Sequence, residues 1–386
     1  MRQLFPILLI SVSLLSCGHR QMPTASEEGD TLRFKYAQLI EVVRHQGYTE
    51  VNIKNPWKEG KMLHRYQLVS HSAAEMPDAA NQATVVRIPL QRSVIFTSVH
   101  AALMQQLEAE GQVAGVADLK YMKVPFVQEG VQQGRIMDCG DGMSPLVEKI
   151  IDTQADGILL SPFENSGGYG RLEEINIPLI ECAEYMEQSP LARAEWVRFY
   201  GMLFGKEHEA DSLFALVDSS YQALKAQVAE KTCRTEGNEP SPESNPLVLM
   251  DKQTGSVWYV PGGRSTIGRM LQDAQCYYPF AADEHSGSLP LSFETILEKC
   301  GEADVWLLRY DSNKPITRRQ LLSEQPGYAQ LRPAKTGEIY GCNVSTSMFY
   351  EESPFRPDLL LQDFIHILHP DLPNLPPLRY YQKLEN

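Results

Sequence analysis

From Pro190 to about Lys231, apolar side chains recur at helical spacing: Leu191, Val197, Met202, Leu203, Leu213, Leu216, Val217, Leu224 and Val228. Ser189 fits an N-cap and Pro190 the first helical position. The pattern predicts one long helix over this stretch, with Gly201 and Gly205 as the two places where it would break. Unbroken, about 40 residues would span roughly 60 Å. A single stiff rod between two lobes would let the cleft between them open little.

On both sides of this stretch, short apolar runs alternate with helical patterns. On the N-terminal side, Ser93–Phe96 and Val113–Val116 read as strands around a helix at Ala101–Ala109. A second unit follows: helix Leu146–Thr153, strand Gly157–Leu160, a glycine-rich loop Ser161–Gly170, helix Arg171–Ile175 and strand Leu179–Cys182. On the C-terminal side, Leu247–Met250, Val257–Val260, Val305–Leu308 and Glu338–Tyr340 read as strands. Thr266–Ala274, Phe293–Cys300, Arg318–Ser323 and Pro357–Leu368 read as helices. Strands alternating with helices imply parallel sheets built from crossover units. The fold class is therefore α/β, two Rossmann-like lobes with parallel sheets joined by one long α-helix.

Ahead of the first lobe's core, Leu32–Gln46 is expected to be helical. Thr49–Asn55 and Met62–Ser70 alternate and are expected to form a hairpin covering one edge of that lobe. The segment Thr235–Pro246, rich in Glu, Pro, Ser and Asn, marks the lobe boundary. The chain then divides into 1–17, a lipoprotein signal peptide; 18–30, a flexible tether; 31–188, the N-terminal lobe; 189–232, the connecting helix; and 233–386, the C-terminal lobe.

The first division rests on a basic start at Arg2, an apolar run Phe5–Leu15 too short to span a membrane, and Leu14-Leu15-Ser16-Cys17. This resembles a bacterial lipobox, with Cys17 as the lipidated first residue of the mature chain; a plain signal peptide is the alternative. A net charge of −14, with both signs interspersed, argues against nucleic acid. Six further cysteines show no CxxC spacing, and either buried thiols or disulfides are compatible with export, Cys276–Cys300 being one candidate pair.

Ligands of open parallel sheets sit outside the carboxyl ends of the strands. In the first lobe those ends carry Ser98, His100, the run Cys139–Met143, Phe163, Glu164, Asn165 and Tyr169. In the second they carry Trp258, Tyr259, Arg264, Arg309, Tyr310, Phe349, Tyr350 and Arg356. Together they predict an aromatic-lined cleft with arginines on one wall, suited to a bulky, flat or anionic small molecule. Catalytic and metal-binding patterns are poor. There is no P-loop and no His-Glu-x-x-His, and the nine histidines are scattered. Ser98 and His100 are a weak nucleophile–base pair, and Gly263–Ile267 lacks the last glycine of a nucleophile elbow. Gly167-Gly168-Tyr169-Gly170 offers either a tight turn or backbone N–H groups for an anion.

Taken together, the lipobox, the βα halves and the connecting helix resemble the substrate-binding proteins of ABC importers with a helical backbone. These serve iron–siderophore, haem and vitamin B12 uptake. The resemblance spans Arg92 to Leu368 and is carried by Arg92–Ser98, Ala155–Leu160, Ile177–Ile180 and Ala303–Leu307. It implies a monomer tethered by lipid on the periplasmic face of a bacterial membrane. It further implies capture of a metal chelate in the inter-lobe cleft and delivery to an ABC permease dimer, with no enzymatic activity, catalytic residue, resident cofactor or directly bound metal. It also implies one permease-docking glutamate per lobe, Glu148 and Glu294, each at a helix start. The arginines rank an iron–siderophore first, the aromatic residues rank cobalamin next, and haem comes third. The alternatives from other classes are an exported serine hydrolase using Ser98 or Ser265 with His100, and a free-metal-ion carrier.

Overall fold

The computed structural model describes residues 29–73, 83–164, 168–232 and 245–386; Cys17, Asn165 and Cys233 lie outside them. The chain begins with a five-stranded accessory sheet: β1 (Asp30–Leu32), β2 (Ile40–Arg44), β3 (Thr49–Lys54), β4 (Met62–Ser70) and β5 (Thr84–Ile88), in that spatial order. The expected β3–β4 hairpin is present, and β5 joins β4 in parallel. The helix expected over Leu32–Gln46 is absent. Ile40 and Val42 are buried while Glu41 between them is exposed, the period of two that a half-buried strand needs. Between β1 and β2 the backbone N–H groups of Lys35, Tyr36 and Ala37 donate to the Glu195 carboxylate, and those of Gln38 and Leu39 to Glu187. Bonds to charged acceptors are strong enough to hold this loop out of a helix.

The N-terminal lobe follows the predicted plan. Its sheet uses β6 (Ser93–Ile95), β7 (Val113–Val116), β8 (Met137–Asp138), β11 (Gly157–Leu160) and β12 (Leu179–Glu181) in the order β12-β11-β6-β7-β8, all parallel. A small β9 (Gly140–Asp141) and β10 (Ser144–Pro145) ribbon stands at its carboxyl edge. The crossovers carry α1 (Ser98–Gln106), α2 (Pro125–Gln132) and α3 (Val147–Asp152). Residues 170–174 form a 3-10 turn rather than the α-helix expected. The accessory sheet seals the outer edge at β12: the Tyr66 hydroxyl donates to Leu179 O (3.0 Å) and accepts from Glu181 N (2.9 Å). An edge strand's unpaired backbone groups are thus occupied.

The predicted long helix is divided into α4 (Pro190–Glu195), α5 (Val197–Phe204) and α6 (Glu207–Thr232). Ser189 caps α4 as expected. Gly205 ends α5 in the left-handed conformation (φ +66°), and Lys206 N donates to Gly201 O at 2.7 Å. Gly201 is where α6 crosses α5, since a Cβ there would lie 2.6 Å from that of Ala210. The helix joining the lobes is therefore the 26-residue α6 alone, about 39 Å long.

The C-terminal lobe has β13 (Val248–Met250), β17 (Val305–Tyr310) and β18 (Ile339–Asn343) in parallel, with β19 (Gln382–Lys383) antiparallel at the edge. A separate antiparallel sheet is made of β14 (Gln253–Thr254), β15 (Val257–Pro261) and β16 (Ser288–Leu291). Its helices are α7 (Thr266–Asp273), α8 (Phe293–Cys300), α9 (Arg318–Glu324), α10 (Arg332–Thr336), α11 (Phe349–Glu352) and α12 (Pro357–Leu368). Cys139, Cys182, Cys276, Cys300 and Cys342 are buried free thiols, so the Cys276–Cys300 disulfide is not formed. No described helix is long and apolar enough to cross a membrane.

Candidate functional site

The carboxyl ends of the N-terminal sheet enclose a cavity of about 600 Å³. Phe96 and Thr97 after β6, Met143 and Pro145 of the β9–β10 ribbon, Leu160 and Phe163 after β11, and Tyr169 line it. Its size is ordinary for a small-molecule site. Two of these side chains stand in water: Met143 is 78 % exposed and Phe163 46 %. Among the described residues, the charged ones in the lining are Asp118 and Arg171, and Arg171 is held by Glu148 at 2.8 Å. The surface offered is apolar and aromatic.

Of the residues singled out in this lobe, Tyr169 and Phe163 belong to the cavity wall. Glu164 is exposed beyond Phe163, and Asn165 lies outside the described residues. Ser98 opens α1 beside Thr97. Gly168 and Gly170 have positive φ, as a tight turn needs, and a 3-10 turn rather than an α-helix follows them; Gly167 lies outside the described residues. His100 does not face the cavity; it is fully buried under it. Its Nδ1 lies 2.6 Å from Thr97 Oγ1, its Nε2 3.1 Å from the Tyr200 hydroxyl and 3.4 Å from Glu184. Burial opposes its charge, but Cys182 and the Glu184 carboxylate outweigh that and raise its pKa to about 10. An imidazolium with both nitrogens engaged is no general base. Ser265 donates to Gly262 O (2.7 Å) and caps α7. Neither serine of the hydrolase alternative is paired with His100.

The C-terminal wall differs more from expectation. Trp258 is fully buried, donating its indole N–H to Met250 O (2.8 Å) and packing on Trp306 and Tyr328. Tyr310 is buried too. Each arginine of the expected anion-binding wall is already neutralised: Arg264 by Glu284 (2.8 Å), Arg309 by both oxygens of Asp251, and Arg356 by both oxygens of Asp358 (2.9 and 2.8 Å). Tyr259 and Tyr350, about half exposed, remain the available rings. The two lobes meet where α1 packs against α11 and the Tyr200 ring meets Phe355 edge-on at 5.8 Å. Glu148 and Glu294 are exposed, each in the first turn of its helix, α3 and α8. Helix N–H groups hold both carboxyls below the usual range, with help from Arg171 at Glu148 and Ser292 at Glu294. Among the described residues, no three His, Cys, Asp or Glu side chains converge as a metal site.

Two parallel-sheet lobes with facing carboxyl edges, joined by one helix, define a binding protein of the periplasmic type with a helical backbone. The chain belongs to the periplasmic binding protein family, which it matches over residues 94–345, and it is not an enzyme. An uncharacterized lipoprotein of Methanocaldococcus jannaschii is 25 % identical over 90 % of this chain and 84 % of its own length. A periplasmic heme binding protein from Pseudomonas aeruginosa aligns with a TM-score of 0.57 at 15 % identity, covering 77 % of this chain and 99 % of that one. A periplasmic vitamin B12 binding protein of Vibrio cholerae aligns at 0.51 and 12 % identity, covering 72 % and 96 %. The family match begins after the accessory sheet.

Proposed function

We propose that this protein is the substrate-binding component of an ABC importer, which takes a metal chelate into the inter-lobe cleft and hands it to the permease. The observation that carries the reading is the cavity of about 600 Å³ with Phe163 and Met143 standing exposed in its wall. Exposed apolar side chains around a concavity mark a binding surface. The arginine pairing removes the reason for ranking an anionic siderophore first. The apolar lining supports a chelate with a large flat organic face, as in cobalamin or haem, and the heme- and vitamin B12-binding neighbours accord with that.

A thermal-shift panel of hemin, cyanocobalamin and ferric desferrioxamine tests this reading. One of the two macrocycles raises the melting temperature by several degrees, and the ferric hydroxamate raises it less. If neither macrocycle does, the ligand assignment fails.

The chain is further proposed to be lipid-anchored through Cys17 at the periplasmic face of the membrane, which the lipoprotein name of the archaeal relative supports. Labelled palmitate should enter the wild-type protein and not Cys17→Ala. Glu148 and Glu294 are proposed to dock on the permease. Reversing both charges should abolish transport while ligand binding stays intact; transport that survives would refute the docking role.

A further inference from the structure

The accessory sheet is joined to the cavity by a line of hydrogen bonds. The Tyr169 hydroxyl, in the cavity wall, donates to Glu181 Oε1 at 2.6 Å. The other oxygen of that carboxylate lies 2.8 Å from Nδ1 of His64 on β4, and His64 Nε2 lies 2.8 Å from Thr84 Oγ1 on β5. A carboxylate only accepts, so His64 Nδ1 carries the hydrogen; in the neutral ring Nε2 then accepts from the Thr84 hydroxyl. The imidazole is stacked on Tyr66, ring centroids 4.3 Å apart, and Tyr66 is itself bonded to the β12 edge. Glu181 is only 8 % exposed, and its two oxygens have one side-chain donor each: a tyrosine from the cavity side and a histidine from the accessory sheet.

We propose that the accessory sheet is part of the binding machinery: through His64 and Glu181 it fixes the Tyr169 ring in the cavity wall. The inference rests on the cleft reading above for its ligand but not for its geometry. Tyr169 stands between two left-handed glycines, Gly168 (φ +95°) and Gly170 (φ +55°), so its own backbone does little to hold it. Besides the hydroxyl bond, its backbone N–H donates to Glu173, four residues on. The ring packs against the core cluster that includes Leu160 and Leu172, and its far end is anchored by a buried carboxylate with a second donor behind it. Removing His64 leaves one buried oxygen of Glu181 without its charged or polar partner, and the carboxylate must turn toward water or another donor. Tyr169 then loses its fixed position. His64 and Glu181 are positioning residues; Tyr169 is the one proposed to touch the ligand.

The test is a double-mutant cycle on affinity for hemin and cyanocobalamin. His64→Ala and Tyr169→Phe each weaken the tighter-binding probe about five- to tenfold. The double variant is no weaker than Tyr169→Phe alone, because His64 acts only through that ring. His64→Gln, whose amide still donates to Glu181, recovers most of the loss. Additive losses, or an unchanged affinity in His64→Ala where Tyr169→Phe is weakened, would overturn the proposal. A second measurement needs no ligand. In the free protein, amide hydrogen exchange across residues 168–174 accelerates in His64→Ala and not in His45→Ala, a control in the turn between β2 and β3. Equal exchange in both would overturn the proposal even if neither chelate bound the wild type, the outcome that would instead remove the cleft reading.

Discussion

Arg309 holds Asp251 with both arms of its guanidinium, and so ties the end of β17 to the residue following β13. Asp251 is 8 % exposed and sits in the left-handed region at φ +58°. Removing Arg309 strands a buried carboxylate, which costs about 3 kcal/mol. Arg309→Met should therefore lower the urea midpoint sharply. Affinity per folded molecule should stay within about twofold, since the guanidinium is already spent on Asp251. A large loss of affinity at unchanged stability would return Arg309 to the ligand.

The cavity wall should behave in the opposite way. Phe163→Ser and Met143→Ser remove exposed apolar surface and should leave the melting temperature within a degree or two. Each should weaken binding of the stabilising macrocycle about tenfold. Trp258→Ala, by contrast, should cost about 3–5 kcal/mol of stability, because it empties a stack formed with Trp306 and Tyr328.

The turn between α5 and α6 tolerates little. Gly201→Val would drive side-chain atoms into Ala210 and Lys206 O, at a cost of about 1–3 kcal/mol. Gly205→Ala places a Cβ on a left-handed residue, costing about 1 kcal/mol. Chemical denaturation of both variants measures the difference, and Gly201→Val should be the less stable.

Stability should depend on pH through the buried His100–Glu184 pair. The folded His100 value of about 10 stands above the ordinary 6.5, so its contribution is complete below pH 6.5 and is lost as pH rises toward 10. The Glu184 carboxyl is shifted the other way: burial opposes its charge, but the neighbouring imidazolium lowers it below 4.5. Its contribution is complete above pH 4.5 and lost as acid protonates the folded form. Melting temperature should thus be highest between about pH 4.5 and 6.5 and decline toward pH 10. In His100→Gln the alkaline decline should flatten.

The lobes were legible because buried parallel strands such as Gly157–Leu160 and Val305–Leu308 are continuous apolar runs flanked by turn residues. The β2 strand was not. Leu32, Tyr36, Leu39 and Val43 imitate helical spacing, and what holds the chain open there is Glu195 and Glu187, about 150 residues later. The division of the connecting helix was half visible: Gly205 ends α5 as expected, whereas Gly201 lies inside α5, and the division at Trp196 was not anticipated. In the site, Trp258 and Tyr259 are consecutive on β15, so strand alternation alone forbids both from lining one cleft. The partner of Arg356, Asp358, is two residues away and could have been anticipated; that of Arg309, Asp251, is 58 residues away and could not. The Tyr169–Glu181–His64 line joins three distant segments and leaves no local trace.

The Tyr66 hydroxyl has a consequence for how far this chain can be trimmed. With the first ninety residues cut away, Leu179 O and Glu181 N would face solvent as an open seam on the outermost strand of the N-terminal lobe. A fragment reduced to the two lobes would then carry an adhesive border, ready to recruit a foreign strand or its own twin. By covering that border, the extra module would also guard the lobes against self-association.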